Sequence, residues 1–141
     1  MSQPNSLPDP QQILEQFADA KTPEQRLRQL ILLGKALPPL EEKYKTDACR
    51  VHGCESAAWL HCQTDEQGLW QLSADSEARI VRGLIAVVLA PLNQRSSQQI
   101  LSFDMHSYIE QLGLRQQLSP SRGNGLNAMI EAIYQQVQTA H

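Results

Sequence analysis

Cys49, His52, Cys54, His61 and Cys62 crowd into one short segment of the chain, and thiols and imidazoles are the side chains that do nucleophilic, redox and metal chemistry near neutral pH. Within it, Arg50-Val51-His52-Gly53-Cys54-Glu55-Ser56-Ala57-Ala58-Trp59 sets a thiol directly behind a glycine. Gly53 can take a positive φ at little steric cost, so the backbone can turn there and carry Cys54 on the tip of a loop. Beyond it the residues alternate. Ser56, Ala58, Leu60 and Cys62 fall on one face and Ala57, Trp59 and His61 on the other, the period of a half-buried strand. A thiol placed where loop becomes strand is accessible and anchored.

Three readings of these thiols stand side by side. Cys54 is a reactive nucleophile on a loop; or it is a small apolar filler, since cysteine is often fully buried; or Cys49, Cys54, Cys62 and a histidine hold zinc or an iron–sulfur cluster. The third lacks the C-x-x-C knuckle of structural metal sites. His61 and Cys62 also point to opposite faces of a regular strand, which keeps them out of one tetrahedral shell.

The surrounding elements follow from caps and periodicity. Residues 1–8 read as a flexible N-terminal tail, and 9–141 as a single domain. Asp9-Pro10 opens a helix to about Ala20, with Ile13, Leu14, Phe17 and Ala18 on one face. Thr22-Pro23-Glu24-Gln25 is a capping box; the helix it starts has Leu27, Leu30, Ile31 and Leu37 as its buried stripe and stops at Pro38-Pro39. Residues 41–47 read as a solvated loop. A strand from Cys54 to about Gln63, a turn at Asp65-Glu66-Gln67-Gly68 and a strand from Leu69 to Ala74 make a β-hairpin, which a short third strand at Cys49 to His52 would support. Asp75 or Ser76 then caps the most apolar segment, Ile80 to Ala90, predicted as a central helix that Pro91 and Asn93 lead out of. Three more helices follow, opening at Ser96-Ser97, at Asp104 and at Ser119-Pro120. The last carries Leu126, Met129, Ile130, Ile133 and Val137 at helical spacing. The fold class is α+β: one compact domain with a small antiparallel sheet against several helices.

Composition excludes other classes. The 141 residues carry a net charge of −3, without a Lys/Arg cluster suited to phosphate backbones, so direct nucleic-acid binding is not expected. Aromatics are only 5%, which leaves few platforms for stacking bases. No run approaches the roughly 20 apolar residues of a membrane span. An odd cysteine count and no signal segment point to a cytoplasmic protein with reduced thiols.

With these residues laid out, the chain resembles the SufE/CsdE family of sulfur-acceptor proteins from the second helix to the C-terminus. Three motifs carry the likeness: Gly53-Cys54-Glu55-Ser56 with Trp59 following, Ile80-Val81-Arg82-Gly83-Leu84-Ile85-Ala86-Val87, and Ser119-Pro120-Ser121-Arg122 followed by Gly125-Leu126. The chain departs from the common pattern at Glu55, where many members carry glutamine, and it adds Cys49 and Cys62. The resemblance implies a fold like that of the IscU-type iron–sulfur scaffolds. It implies no cofactor and no catalysis of the protein's own, but a sulfur-carrier role as partner and activator of a pyridoxal-phosphate cysteine desulfurase of the SufS/CsdA kind. Cys54 would receive sulfane sulfur as a persulfide and pass it to a downstream acceptor such as an iron–sulfur scaffold, or into a parallel sulfur-transfer line. Such an acceptor needs access and thiolate character, and a free thiol is only a few per cent ionised at pH 7. Arg50, His52 and Arg122 are the cations expected to help, with Gly53 as hinge and Glu55 on the rim of the docking face.

Overall fold

The computed structural model describes residues 7–53 and 56–140. Cys54, Glu55 and most of the expected tail lie outside them. Six α-helices and one hairpin follow in the order α1 (Pro10–Asp19), α2 (Pro23–Ala36), β1 (Ala58–Thr64), β2 (Trp70–Ser76), α3 (Arg79–Leu92), α4 (Ser97–Ser102), α5 (Met105–Leu112) and α6 (Pro120–Ala140). The expected α+β class holds. Asp9, Thr22 and Ser96 each close a capping box with a glutamine three residues on, so the local start signals survive into the fold.

β1 and β2 pair antiparallel from Ala58↔Ser76 to Thr64↔Trp70. A two-stranded ribbon is marginal unless its face and edges are covered. Ala58, Leu60, Trp70, Leu72 and Ala74 are buried in the core. The outer edge of β2 is met by the segment after α3, where the Trp70 amide donates to the Arg95 carbonyl at 2.8 Å and the Leu72 amide to Asn93 Oδ1 at 2.9 Å. The outer edge of β1 is met by Val51, whose amide donates to the Ala58 carbonyl at 2.9 Å, and by an isolated bridge between Arg50 and Trp59. That single bridge stands where a third strand was expected.

Other boundaries move for identifiable reasons. β1 begins at Ala58, not Cys54, because Ser56 and Ala57 belong to the loop. Residues 41–47 are not a plain loop: 3-10 turns form at Glu42–Tyr44 and Asp47–Cys49, and Tyr44 stacks on His61 with ring centroids 3.7 Å apart. β2 extends through Ser76, and α3 starts behind Ala78 with no side-chain cap bonded to its first turn. Asp75 is drawn into another contact, described below. Pro91 stays inside α3. It cannot donate to the Val87 carbonyl one turn back, and the buried Tyr108 hydroxyl on α5 donates to that oxygen at 3.0 Å instead.

α3 is the central helix, buried continuously from Gly83 to Leu92. Its closest neighbour is α2. The buried stripe of α2 is Leu30, Leu33 and Gly34, continued by Leu37, while Leu27 is 41% exposed. The stripe differs from the expected one because two glycines set the contact: a Cβ at Gly83 would stand 2.2 Å from the Leu30 carbonyl oxygen, and one at Gly34 would stand 3.0 Å from the Gly83 amide nitrogen. The backbones touch where side chains would hold them apart. Gly83→Ala should therefore lower stability by about 3 kcal/mol, the upper part of the usual range for overpacking, although alanine is the better helix former. Urea unfolding measures this, and an unchanged midpoint would refute the backbone contact.

Candidate functional site

The loop that carries Cys54 is held at both feet. On the first arm, the Val51 amide bonds across to Ala58. On the second, the Ala57 carbonyl accepts from the Ser76 hydroxyl at 2.7 Å and from the Glu77 amide at 3.2 Å. Gly53, at φ +96°, lies in the left-handed half of backbone space, where a side chain is strained. It is also close to α6: a Cβ there would meet the Ala128 methyl at 3.2 Å. The expectation that this glycine makes the turn is met. Cys54 and Glu55, immediately beyond it, lie outside the described residues.

A cavity of about 350 Å³ opens beside the loop. Leu84, Ile85, Leu126 and Met129 supply apolar lining from α3 and α6, while Ser56, Ser119 and Arg122 supply polar groups. Of the expected supporting cations, Arg122 lines this cavity together with Ser56. Arg50 and His52 are exposed on the first arm and are not part of the lining. Cys49 and Cys62 also lie elsewhere. Cys62 is on the core-facing side of β1 and His61 stacks on Tyr44, so the two diverge as the strand period requires. Among the described residues no group of three or more His, Cys, Asp or Glu side chains could hold a metal ion.

Sequence reasoning missed the brace behind the loop. Arg82 leaves the buried face of α3 and donates through Nε and NH2 to the Gly34 carbonyl, at 3.2 and 3.0 Å, and through NH2 to the Leu37 carbonyl at 2.7 Å. Its NH1 pairs with Asp75 Oδ1. Asp75 also accepts from the Ser76 amide at 2.8 Å and the Leu40 amide at 3.1 Å, with Lys45 Nζ 3.7 Å away. The signal was present as one arginine inside an otherwise apolar run, since a buried charge requires partners. Burial alone would push the Asp75 carboxyl up, but the two amides and the Arg82 guanidinium outweigh it and hold the carboxyl below its ordinary value.

The family model described as "SufE: Fe-S metabolism associated domain" matches residues 11–137. The chain belongs to that family. Among solved structures it is similar to the solution structure of a hypothetical protein from Thermus thermophilus, at 25% sequence identity and a TM-score of 0.74, over 93% of this chain and 94% of that one. No helix among the described residues is long and apolar enough to cross a membrane.

Asp75 also sets a pH response. Its carboxyl titrates lower in the folded chain than in the unfolded one, where about 3.9 is usual, so its stabilisation is complete above that value and is lost as pH falls through the folded pKa. Asp75→Asn should cost about 3 kcal/mol at neutral pH, because it leaves a mostly buried guanidinium without its counter-charge. The variant should also lose less stability than the parent between pH 5 and pH 2. Urea titrations across that range test both, and parallel stability curves for parent and variant would contradict the assignment.

Proposed function

We propose that this protein is the sulfur acceptor of a cysteine desulfurase, taking sulfane sulfur on Cys54 and releasing it to a downstream acceptor. Membership of an Fe–S metabolism family supports the reading. The observation that carries it onto particular residues is the cavity beside the braced loop, with Ser56 and Arg122 on its lining. In the transfer, the Cys54 thiolate attacks the outer sulfur of the donor persulfide. The sulfur–sulfur bond of the donor breaks, its cysteine leaves as thiolate, and Cys54 carries the persulfide. Cation charge stabilises the attacking anion, and each pKa unit of lowering corresponds to about 1.4 kcal/mol. We assign this role to Arg122, which lines the cavity, and give Arg50, His52 and Glu55 to the rim that meets the partner. The desulfurase performs the carbon–sulfur chemistry, and this chain acts as carrier and activator in the cytoplasm.

An acceptor persulfide has to be reached and then shielded, since small thiols would remove its sulfur by the exchange that formed it. The cavity serves the second need. An outward swing of the loop through Gly53 serves the first, as docking shifts a minor population.

Incubation with a desulfurase and cysteine should add about 32 mass units, one sulfur atom, at Cys54. Cys54→Ser should abolish the adduct and the stimulation of turnover with the fold intact, whereas replacing Cys49 and Cys62 by alanine should leave acceptance within a few-fold of the parent. A serine variant that still accelerates the desulfurase fully would overturn the acceptor assignment.

Bulky alkylating reagents should modify Cys54 more slowly in the free protein than in an unfolded peptide, and faster when a catalytically dead desulfurase is docked. Gly53→Val should slow sulfur acceptance more than it lowers stability. A free-protein alkylation rate equal to that of the peptide would remove the shielding role.

A further inference from the structure

Cys49 and Cys62 take no part in the cavity or in the transfer step, yet they flank the base of the same loop. Cys49 immediately precedes Arg50, and Cys62 follows Trp59 along β1; Arg50 and Trp59 form the isolated antiparallel bridge that closes the loop. A ladder continued from that bridge would set Cys49 against Leu60 and diagonal to Cys62, where antiparallel neighbours stand about 7–8 Å apart; Cys49 itself closes the 3-10 turn Asp47–Cys49. The Asp47–Cys49 turn packs on β1. Both thiols are free and half-buried, and Cys62 lies against the core. Burial pushes the Cys62 thiol up to about 12, and charge on Cys49 adds to the effect. A disulfide needs the two Cα atoms within about 7 Å, so closure draws on the short 3-10 turn, which is held by the single-turn bonds Cys49 amide to Thr46 carbonyl and Arg50 amide to Asp47 carbonyl.

We propose that Cys49 and Cys62 form a reversible dithiol–disulfide site whose closure ties together the two arms of the Cys54 loop. The oxidant is a hydroperoxide. The Cys49 thiolate attacks its terminal oxygen, the O–O bond breaks, and an alcohol or water leaves as Cys49 becomes a sulfenic acid. The Cys62 sulfur then attacks the Cys49 sulfur and expels hydroxide, which takes the Cys62 proton to leave as water. Two thiols and one hydroperoxide become one disulfide, one alcohol or water, and one further water; the two sulfurs lose the two electrons that the O–O bond gains. Cys49 reacts first because Cys62 is held neutral by its surroundings. A dithiol reductant reverses the change by exchange. The closed ring contains Arg50 to His61, so it restrains the segment that has to move when Cys54 is presented.

The test uses the full chain carrying Cys54→Ser, which leaves only these two thiols and needs no desulfurase, so its failure is separable from failure of the sulfur-acceptor reading. After hydrogen peroxide treatment, intact-mass measurement should show loss of two hydrogen atoms, and digestion without reductant should give a peptide cross-linked through Cys49 and Cys62. Amide hydrogen exchange across 50–58 should slow by about ten-fold, and dithiothreitol should reverse both changes. Cys49→Ala in the same background should show neither. Oxygen adducts or intermolecular disulfides in place of the internal cross-link would overturn the site, and a cross-link with unchanged exchange would overturn its action on the loop.

Discussion

The Arg82–Asp75 pair is the interaction on which the remaining arrangement depends. An arginine at this position on a buried helix is tolerable only if nearly all its donors are used. They are used on two carbonyls at the C-terminal end of α2, that of Gly34, which also accepts from the Leu37 amide, and that of Leu37 itself, and on a carboxylate at the end of β2. A cation at a helix C-terminus is also favoured by the helix dipole. One side chain thereby joins α2, α3 and the hairpin. Through the neighbouring Ser76, the same corner holds the Ala57 carbonyl and so the second foot of the Cys54 loop.

That corner requires α2 and α3 to lie closer than ordinary side chains allow. Gly34 and Gly83 remove the obstacle, and the Arg82 guanidinium then reaches the end of α2 without stretching. Glycine inside a helix costs roughly 1 kcal/mol relative to alanine, a cost offset here by backbone packing and by the ion-pair network it permits. The same logic explains Pro91. The carbonyl it leaves without a helical donor is reached by the Tyr108 hydroxyl, which turns a defect in one helix into a link to another.

A rigid base and a turning tip are what a sulfur carrier of the proposed kind needs. The feet of the loop are hydrogen-bonded to the hairpin, while the tip turns at a glycine with positive φ beside α6. The cavity belongs to neither foot. It is built from α3 and α6, elements far apart in the chain, and the loop only borders it.

Much of this was legible in the residues themselves. Capping boxes at Asp9, Thr22 and Ser96, the alternation along β1 and the apolar run of α3 are local patterns, and local patterns report the local backbone state. Gly53 announced the turn because few other residues occupy that part of backbone space. The sequence motifs also carried the family. What the chain could not reveal in one dimension was which distant residues meet. Asp75 read as a helix cap because its neighbours in sequence made it one; in space a guanidinium claimed it. Leu27 read as core because its spacing fits a helical stripe, but the glycine contact between α2 and α3 selects a different stripe and leaves Leu27 in solvent. Arg50, His52 and Arg122 looked equivalent as cations near a thiol, yet only Arg122 lines the cavity, because α6 returns it there from the far end of the chain. Local periodicity determines which elements form, and tertiary packing decides which of their faces, charges and thiols become neighbours, since those contacts are made by residues that no local pattern connects.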